Sequence, residues 1–264
     1  PAGPLPDKRL AGPPLLVVEI LSRTTRAYDL GTKSYVYRHA GVGAYWVVDP
    51  AVPRVTAWRW DGGDGTEVAV EGNVVVAPAM PGSSDNADAA ALLALPFQPG
   101  RVRDVIDAVT EGREAIPAVD PERVIVAGHS LGAMTALATA FNTCCTDPRV
   151  DAVVAIAGQL ATFPEGAWNT GSVPVLLVHG RLDETVAYTG SGEAFQAVGT
   201  SAYLLTVEAG DHGGYLRAEN RRHPAVRDAI LAFLLSTVGG QPQAGLADLA
   251  VAGGRPGVRL TTRG

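Results

Sequence analysis

A serine, a carboxylate and a histidine stand in this chain in the order and settings that acyl-transfer chemistry requires. Gly128-His129-Ser130-Leu131-Gly132 is a G-x-S-x-G pentapeptide. Alone it is a weak pattern, and its context carries the reading. Arg123-Val124-Ile125-Val126-Ala127 reads as a buried strand, and Leu131–Phe141 as an Ala-rich helix. Ser130 therefore falls on a sharp strand-to-helix turn, which strains its backbone and lifts its hydroxyl above the sheet. The flanking glycines are expected where neighbouring backbone leaves no room for a Cβ. The helix N-terminus stabilises negative charge that develops nearby. The competing reading is a Gly-Ser turn in which Ser130 merely caps the helix.

Serine is a poor nucleophile without a base and an acid to orient that base. In this setting the order is serine, then Asp or Glu, then His, each on a loop after a later strand. Val173–Val178 reads as a strand followed by His179-Gly180-Arg181-Leu182-Asp183, and Tyr203–Val207 as the next, followed by Glu208-Ala209-Gly210-Asp211-His212. Asp183 and His212 are thus the expected acid and base. Glu184 lies one step too far along its turn, and Asp211 adjoins His212 too closely to orient it. His179 is expected to brace its loop and His129 to serve the elbow's structure. His39 and His223 lie in polar stretches and read as solvated.

The elements that must position these residues alternate from Val74 onward. Strand-like runs fall at Val74–Ala77, Val124–Ala127, Val153–Ala157, Val175–Val178 and Tyr203–Val207. Helical spacing falls at Val102–Glu114, Leu131–Phe141, Gly192–Ala197 and Ala225–Val238. Short continuous apolar strands between helices imply a parallel sheet covered on both faces. Earlier the style differs: runs at Leu15–Ile20, Tyr45–Val48 and Val55–Trp60, with Asp61-Gly62-Gly63-Asp64-Gly65 as a hairpin turn or linker. Three parts are expected: 1–71, 72–239, and a Gly/Ala/Pro-rich tail from 240 to 264 that packs loosely.

Composition bounds the alternatives. The 264 residues are 47% hydrophobic and 18% charged, enough apolar content to exclude wholesale disorder. The formal charge of −6 argues against a broad nucleic-acid footprint. No apolar run reaches the roughly 18 residues that span a bilayer. The chain opens at Pro1 with no basic-then-apolar leader, which reads as a fragment or a trimmed N-terminus and leaves localisation unassigned. Cys144 and Cys145 are neighbours, read as two half-buried thiols closing a helix rather than as a disulfide or metal site. Ala161–Thr170, with Phe163 and Trp168, reads as a pocket wall or a surface aromatic loop.

Residues from about 72 to 239 resemble the α/β-hydrolase superfamily, in particular its bacterial esterase and dienelactone-hydrolase-like branch. The resemblance rests on Val74-Val75-Val76-Ala77-Pro78, Gly128–Gly132, Val178–Asp183 and Gly210-Asp211-His212. It implies Ser130 as nucleophile, Asp183 as orienting acid, His212 as general base, the Leu131 amide as an oxyanion donor, and no cofactor or metal. The partner would be a small-molecule ester; oligomeric state is not legible. One departure stands out. The second oxyanion donor of the family comes from an earlier loop, often His-Gly-Gly, yet no His-Gly pair precedes Gly128. Losing one donor costs roughly a hundredfold to a thousandfold in rate. The early strands are missing too, which would leave an open sheet edge beside Val74–Ala77. The N-terminal strands could cover it and make one composite domain.

Residues from about 14 to 71 resemble the C-terminal half of the Uma-type nucleases, of restriction-endonuclease-like fold. Leu16–Ser22, Thr24–Lys33 and Ala40–Pro50 carry that likeness. It implies Glu19 as a Mg²⁺-holding acid and Lys33, one of two lysines in the chain, as an aid to phosphodiester attack. The family's other metal-binding Asp lies upstream of this match, and one carboxylate makes a poor Mg²⁺ site. The leading expectation is therefore a serine hydrolase of carboxylic esters. A catalytically silent chimeric scaffold or binding module comes second, and a Mg²⁺-dependent nuclease using Glu19 and Lys33 third.

Overall fold

The structure, a computed structural model, describes residues 16–20, 36, 39, 44–49, 54–59, 66–71, 93–111 and 120–264. The chain divides into two compact units, one of residues 1–77 with 109–119, the other of 78–108 with 120–264. The described strands fall into two separate sheets.

In the first unit the sheet order is β1 (Leu16–Ile20), β2 (Ala44–Asp49), β3 (Arg54–Arg59) and β4 (Thr66–Glu71). β1 runs parallel to β2, and the remaining pairs are antiparallel. β4 was not expected, because Thr66-Glu67-Val68-Ala69-Val70-Glu71 follows a glycine-rich stretch and carries little apolar bulk. Its antiparallel register with β3, Arg59 opposite Thr66, brackets the 60–65 stretch read as a turn. That stretch, Val74–Ala77 and Lys33 lie outside the described residues. Among the described residues the strands of 16–71 pair with one another, and no ladder joins them to the second sheet.

The second unit is a mostly parallel five-stranded sheet between helices, the layout of an α/β-hydrolase-like fold. Its order is β5 (Val124–His129), β6 (Val150–Ile156), β7 (Val175–Gly180), β8 (Ala202–Val207) and β9 (Val258–Arg263), with β9 alone antiparallel. Alternate residues of each strand serve opposite faces, the pleat's period of two. Val175 and Leu177 pack with α1 (Gln98–Thr110), α2 (Leu131–Phe141) and α3 (Tyr188–Ala197). Leu176 and Val178 pack with α4 (His223–Thr237) and α5 (Pro242–Gly253). All six residues of β7 are buried, so the sheet's centre holds the strand from which the acid loop emerges.

The loosely packed tail is corrected by this arrangement. Residues 242–253 form α5, whose Leu249 and Ala252 are buried, and β9 closes the sheet against β8. Arg263 caps the end of α3, donating to the carbonyls of Phe195, Val198 and Gly199 at 2.7–2.9 Å. A cation suits that end of a helix, where carbonyls lack partners. The small residues of this segment fit close packing: a Cβ on Gly245 would strike α4 backbone at Ala232 and Ser236. The two cysteines also differ from expectation. Cys144 and Cys145 are joined as a disulfide between chain neighbours, in the turn after α2. Phe163 is buried with Met134, Cys145 and Val186 and stacks edge-on to Trp168, so this loop is not a surface aromatic loop. His223 begins α4, and its Nδ1 is buried rather than solvated.

Candidate active site

Ser130 sits between β5 and α2 with φ 58° and ψ −120°. A non-glycine residue in that left-handed region is costly and persists where its surroundings over-determine it. The constraints are visible. Ser130 N–H donates to Ile156 O at 2.9 Å, and Ser130 O accepts from Ala133 and Met134, starting the helix. A Cβ on Gly128 would collide with the Gly132 carbonyl and lie 2.7 Å from Ala133 N. Gly132 is different: a Cβ there meets nothing within 4 Å, so only the first elbow glycine is required by packing. Ser130 occupies the N-cap position, yet its side chain makes no capping hydrogen bond. A serine conserving helix ends would use that hydroxyl; this one leaves it free for other work. Leu131 opens the helix, where an N–H has no intrahelical acceptor.

The loops after β7 and β8 bring Asp183 and His212 together across 29 residues: His212 Nδ1 donates to Asp183 Oδ2 at 2.8 Å. The loops can approach because Gly180 has no side chain; a Cβ there would collide with the carbonyls of Gly210 and Asp211. Asp183 Oδ1 accepts from Thr185 N–H at 2.8 Å and Val186 N–H at 2.9 Å. Burial pushes the Asp183 carboxyl up, but the Val186, His212 and Thr185 donors outweigh burial and hold it below the usual carboxylate range. A buried, ionised acid facing an imidazole N–H fixes the ring's tautomer and leaves Nε2 without a hydrogen, able to accept a proton.

His212 is also held from the elbow side. His129 Nε2 donates to the His212 carbonyl at 2.6 Å, and the two rings pack 4.7 Å apart. The elbow histidine, read from sequence as structural only, thus ties the His212 loop to the turn that carries Ser130. Among the described residues no hydrogen bond joins Ser130 Oγ to His212 Nε2. Such contacts are commonly long or poorly aligned in unliganded sites.

The other acids are placed elsewhere. Glu184 is exposed. Asp211 turns to its own loop, accepting from Gly213 and Gly214 N–H, which lowers its carboxyl. Glu19 lies on β1, in register with Val47. No group of three His, Cys, Asp or Glu able to hold a metal occurs among the described residues.

Comparison with known proteins fits this division. Residues 137–245 match the family described as "Abhydrolase_4: TAP-like protein", and residues 2–92 match "Uma2: Putative restriction endonuclease". The nuclease-like match lies at the N-terminal end of the chain and is wider than the 14–71 read from sequence. No curated protein matches the chain. Among solved structures, the crystal structure of esterase PE8 is similar at 22% identity and a TM-score of 0.40, covering 85% of this chain and 94% of that one. Together with the sheet topology, the first match supports a hydrolase of the α/β-hydrolase type.

Proposed function

We propose that the second unit is a serine hydrolase of carboxylic esters. The observation that carries the reading is the Asp183–His212 hydrogen bond, with Ser130 held on a strained elbow and its hydroxyl making no capping bond. Ser130 Oγ forms a bond to the ester carbonyl carbon while its proton passes to His212 Nε2. The Leu131 N–H donates to the oxyanion. Collapse of the tetrahedral species breaks the ester C–O bond, and His212 returns the proton to the departing alcohol. Water then attacks the acyl-enzyme, His212 takes its proton, and that proton restores the Ser130 hydroxyl as the acid leaves. No cofactor enters. The nuclease-like part remains 1–71 in this reading and the hydrolase core 72–239, with 240–264 completing the latter's sheet.

The test is release of p-nitrophenol from short acyl esters. Wild type is expected to turn over and Ser130→Ala to fall to the solution background. Equal rates for the two proteins would replace this reading with that of a silent scaffold. Mg²⁺-dependent nicking of plasmid DNA, lost in Glu19→Ala, would instead assign the N-terminal unit a nuclease activity.

A further inference from the structure

We propose that His179 is a second imidazole partner of Asp183, a positioning residue that sets the carboxylate's orientation and shares its charge with His212. The proposal rests on the hydrolase reading for its kinetic consequences, but its hydrogen-bond content stands without it.

His179 is fully buried at the end of β7. Its Nε2 faces two oxygens, Asp183 Oδ2 at 3.1 Å and Val186 O at 3.0 Å. Both are acceptors, so Nε2 must carry the hydrogen. Nδ1 lies 2.6 Å from Ser191 Oγ, which is also 2.9 Å from Gly158 O. Burial holds the imidazole below its ordinary range, which keeps it neutral. Nδ1 is then an acceptor and Ser191 must supply the hydrogen. Ser191 Oγ also donates to Gly158 O, so its one hydrogen is shared between Nδ1 and that carbonyl. The neutral ring thus keeps its hydrogen on Nε2, between partners in the loop after β7 and on α3.

The consequence falls on Asp183. Its Oδ2 takes the His212 N–H and shares the His179 N–H with Val186 O, while Oδ1 takes two backbone N–H groups. Three donors and the shared His179 N–H surround the carboxylate, so it cannot rotate away from His212 without breaking bonds on the opposite side. Val186 adds to the lock by giving its N–H to Asp183 and its carbonyl to His179. Each donor also withdraws charge that His212 would otherwise meet alone. The remaining groups facing this cluster are Tyr215, buried with its phenol pushed up by burial and by Asp183, the Tyr188 ring 5.8 Å from His179, the Arg181 guanidinium over Tyr188, and the His129 ring on His212.

The experiment uses the full chain labelled with ¹⁵N-histidine. Two imidazole N–H signals are expected downfield of the amides, one on His179 Nε2 and one on His212 Nδ1. Asp183→Asn should move both upfield. In wild type, a His179 hydrogen found on Nδ1 overturns the proposal without any variant. His179→Leu should remove one signal and drive the other further downfield. It should also lower kcat/KM on p-nitrophenyl esters about tenfold to a hundredfold, a hydrogen bond to a charged group, mostly in kcat. The acidic limb of its pH profile should move to higher pH, since His212 then has the carboxylate to itself. His179→Gln, which keeps an N–H toward Oδ2, should recover most of the rate and return the limb. A His179→Leu protein with wild-type kcat and limb overturns the proposal. Should wild type hydrolyse no ester, the hydrolase reading fails while the two N–H signals still decide the role of His179.

Discussion

β7 and β5 both lead into residues of the candidate site, yet they hold them in opposite ways. Every residue of β7 is buried between β6 and β8, and the loop beyond it is stitched by hydrogen bonds to Asp183 and His179. β5 is the edge of the described sheet, with only Val126 buried and both Ala127 and His129 exposed. Asp183 and His212 are therefore fixed by packing and polar contacts. Ser130 is fixed by backbone geometry, through a left-handed φ, the crowded Gly128 and one bond to Ile156 O. The difference teaches that the two halves of this site fail by different routes. A carboxylate network fails when a donor or acceptor is removed; an elbow fails when a few atoms are added.

The sharpest break on the β7 side is Asp183→Asn. The amide keeps the volume but donates where it should accept, so His212 loses its tautomer while the fold persists. Loss of roughly 10⁴-fold in kcat is expected, by analogy with other Ser-His-Asp sites. It is checked by steady-state kinetics beside a thermal melt. A fall of less than tenfold would mean that Asp183 does not orient the base.

The matching break on the β5 side is Gly128→Ala. Its Cβ would press into the Gly132 carbonyl, which belongs to the first turn of α2. Overpacking of this kind costs about 1–3 kcal/mol. Because the displaced turn carries Ser130 and the Leu131 amide, kcat should fall together with the melting temperature. Asp183→Asn should separate those two readouts, and Gly128→Ala should not.

These two sides also differ in how much the sequence could reveal. The elbow was legible because its chemistry is local: five consecutive residues between an apolar run and an Ala-rich helix. α2 indeed runs over Leu131–Phe141, the span read from its composition. Asp183 and His212 were paired from sequence by order and by position after apolar strands, and the structure places them within hydrogen-bond distance. The hydrogen bonds from His179 to Asp183 and from His129 to the His212 carbonyl were not, because they depend on which loops meet. Both histidines carried the bland reading that most histidines merit. α5 and β9 were missed for another reason: Ala, Gly and Thr positions give little apolar periodicity, and their stability comes from α4 and β8. β4 was missed on similar grounds.

Acid should divide the network further. His179 is neutral in the native protein, held below its ordinary value near 6.5 by burial, whereas the unfolded chain binds a proton there at that value. The unfolded state then holds more protons, so stability contributed by neutral His179 is present above pH 6.5 and is lost as pH falls from there toward the lowered native value. Asp183, also depressed, behaves likewise but lower, with its share lost only below its ordinary value near 3.8. Urea midpoints measured from pH 7.5 to 4.5 should decline, and His179→Gln should flatten that decline. An equal slope in both proteins would place the acid sensitivity in another group.

The smallest effect is expected from Gly132→Ala, and it tests the elbow more finely than a disruptive change can. Both glycines flank the same serine, four residues apart, yet only Gly128 is crowded. Gly132 is the second residue of α2 and takes no left-handed φ, so alanine fits its backbone. Replacing a helical glycine by alanine contributes up to about 1 kcal/mol by restricting the unfolded chain. Gly132→Ala should therefore melt at or slightly above the wild-type temperature. If its ester turnover then falls while its stability does not, the added methyl must meet substrate rather than protein. Position 132 would in that case mark the side from which the acyl group approaches Ser130.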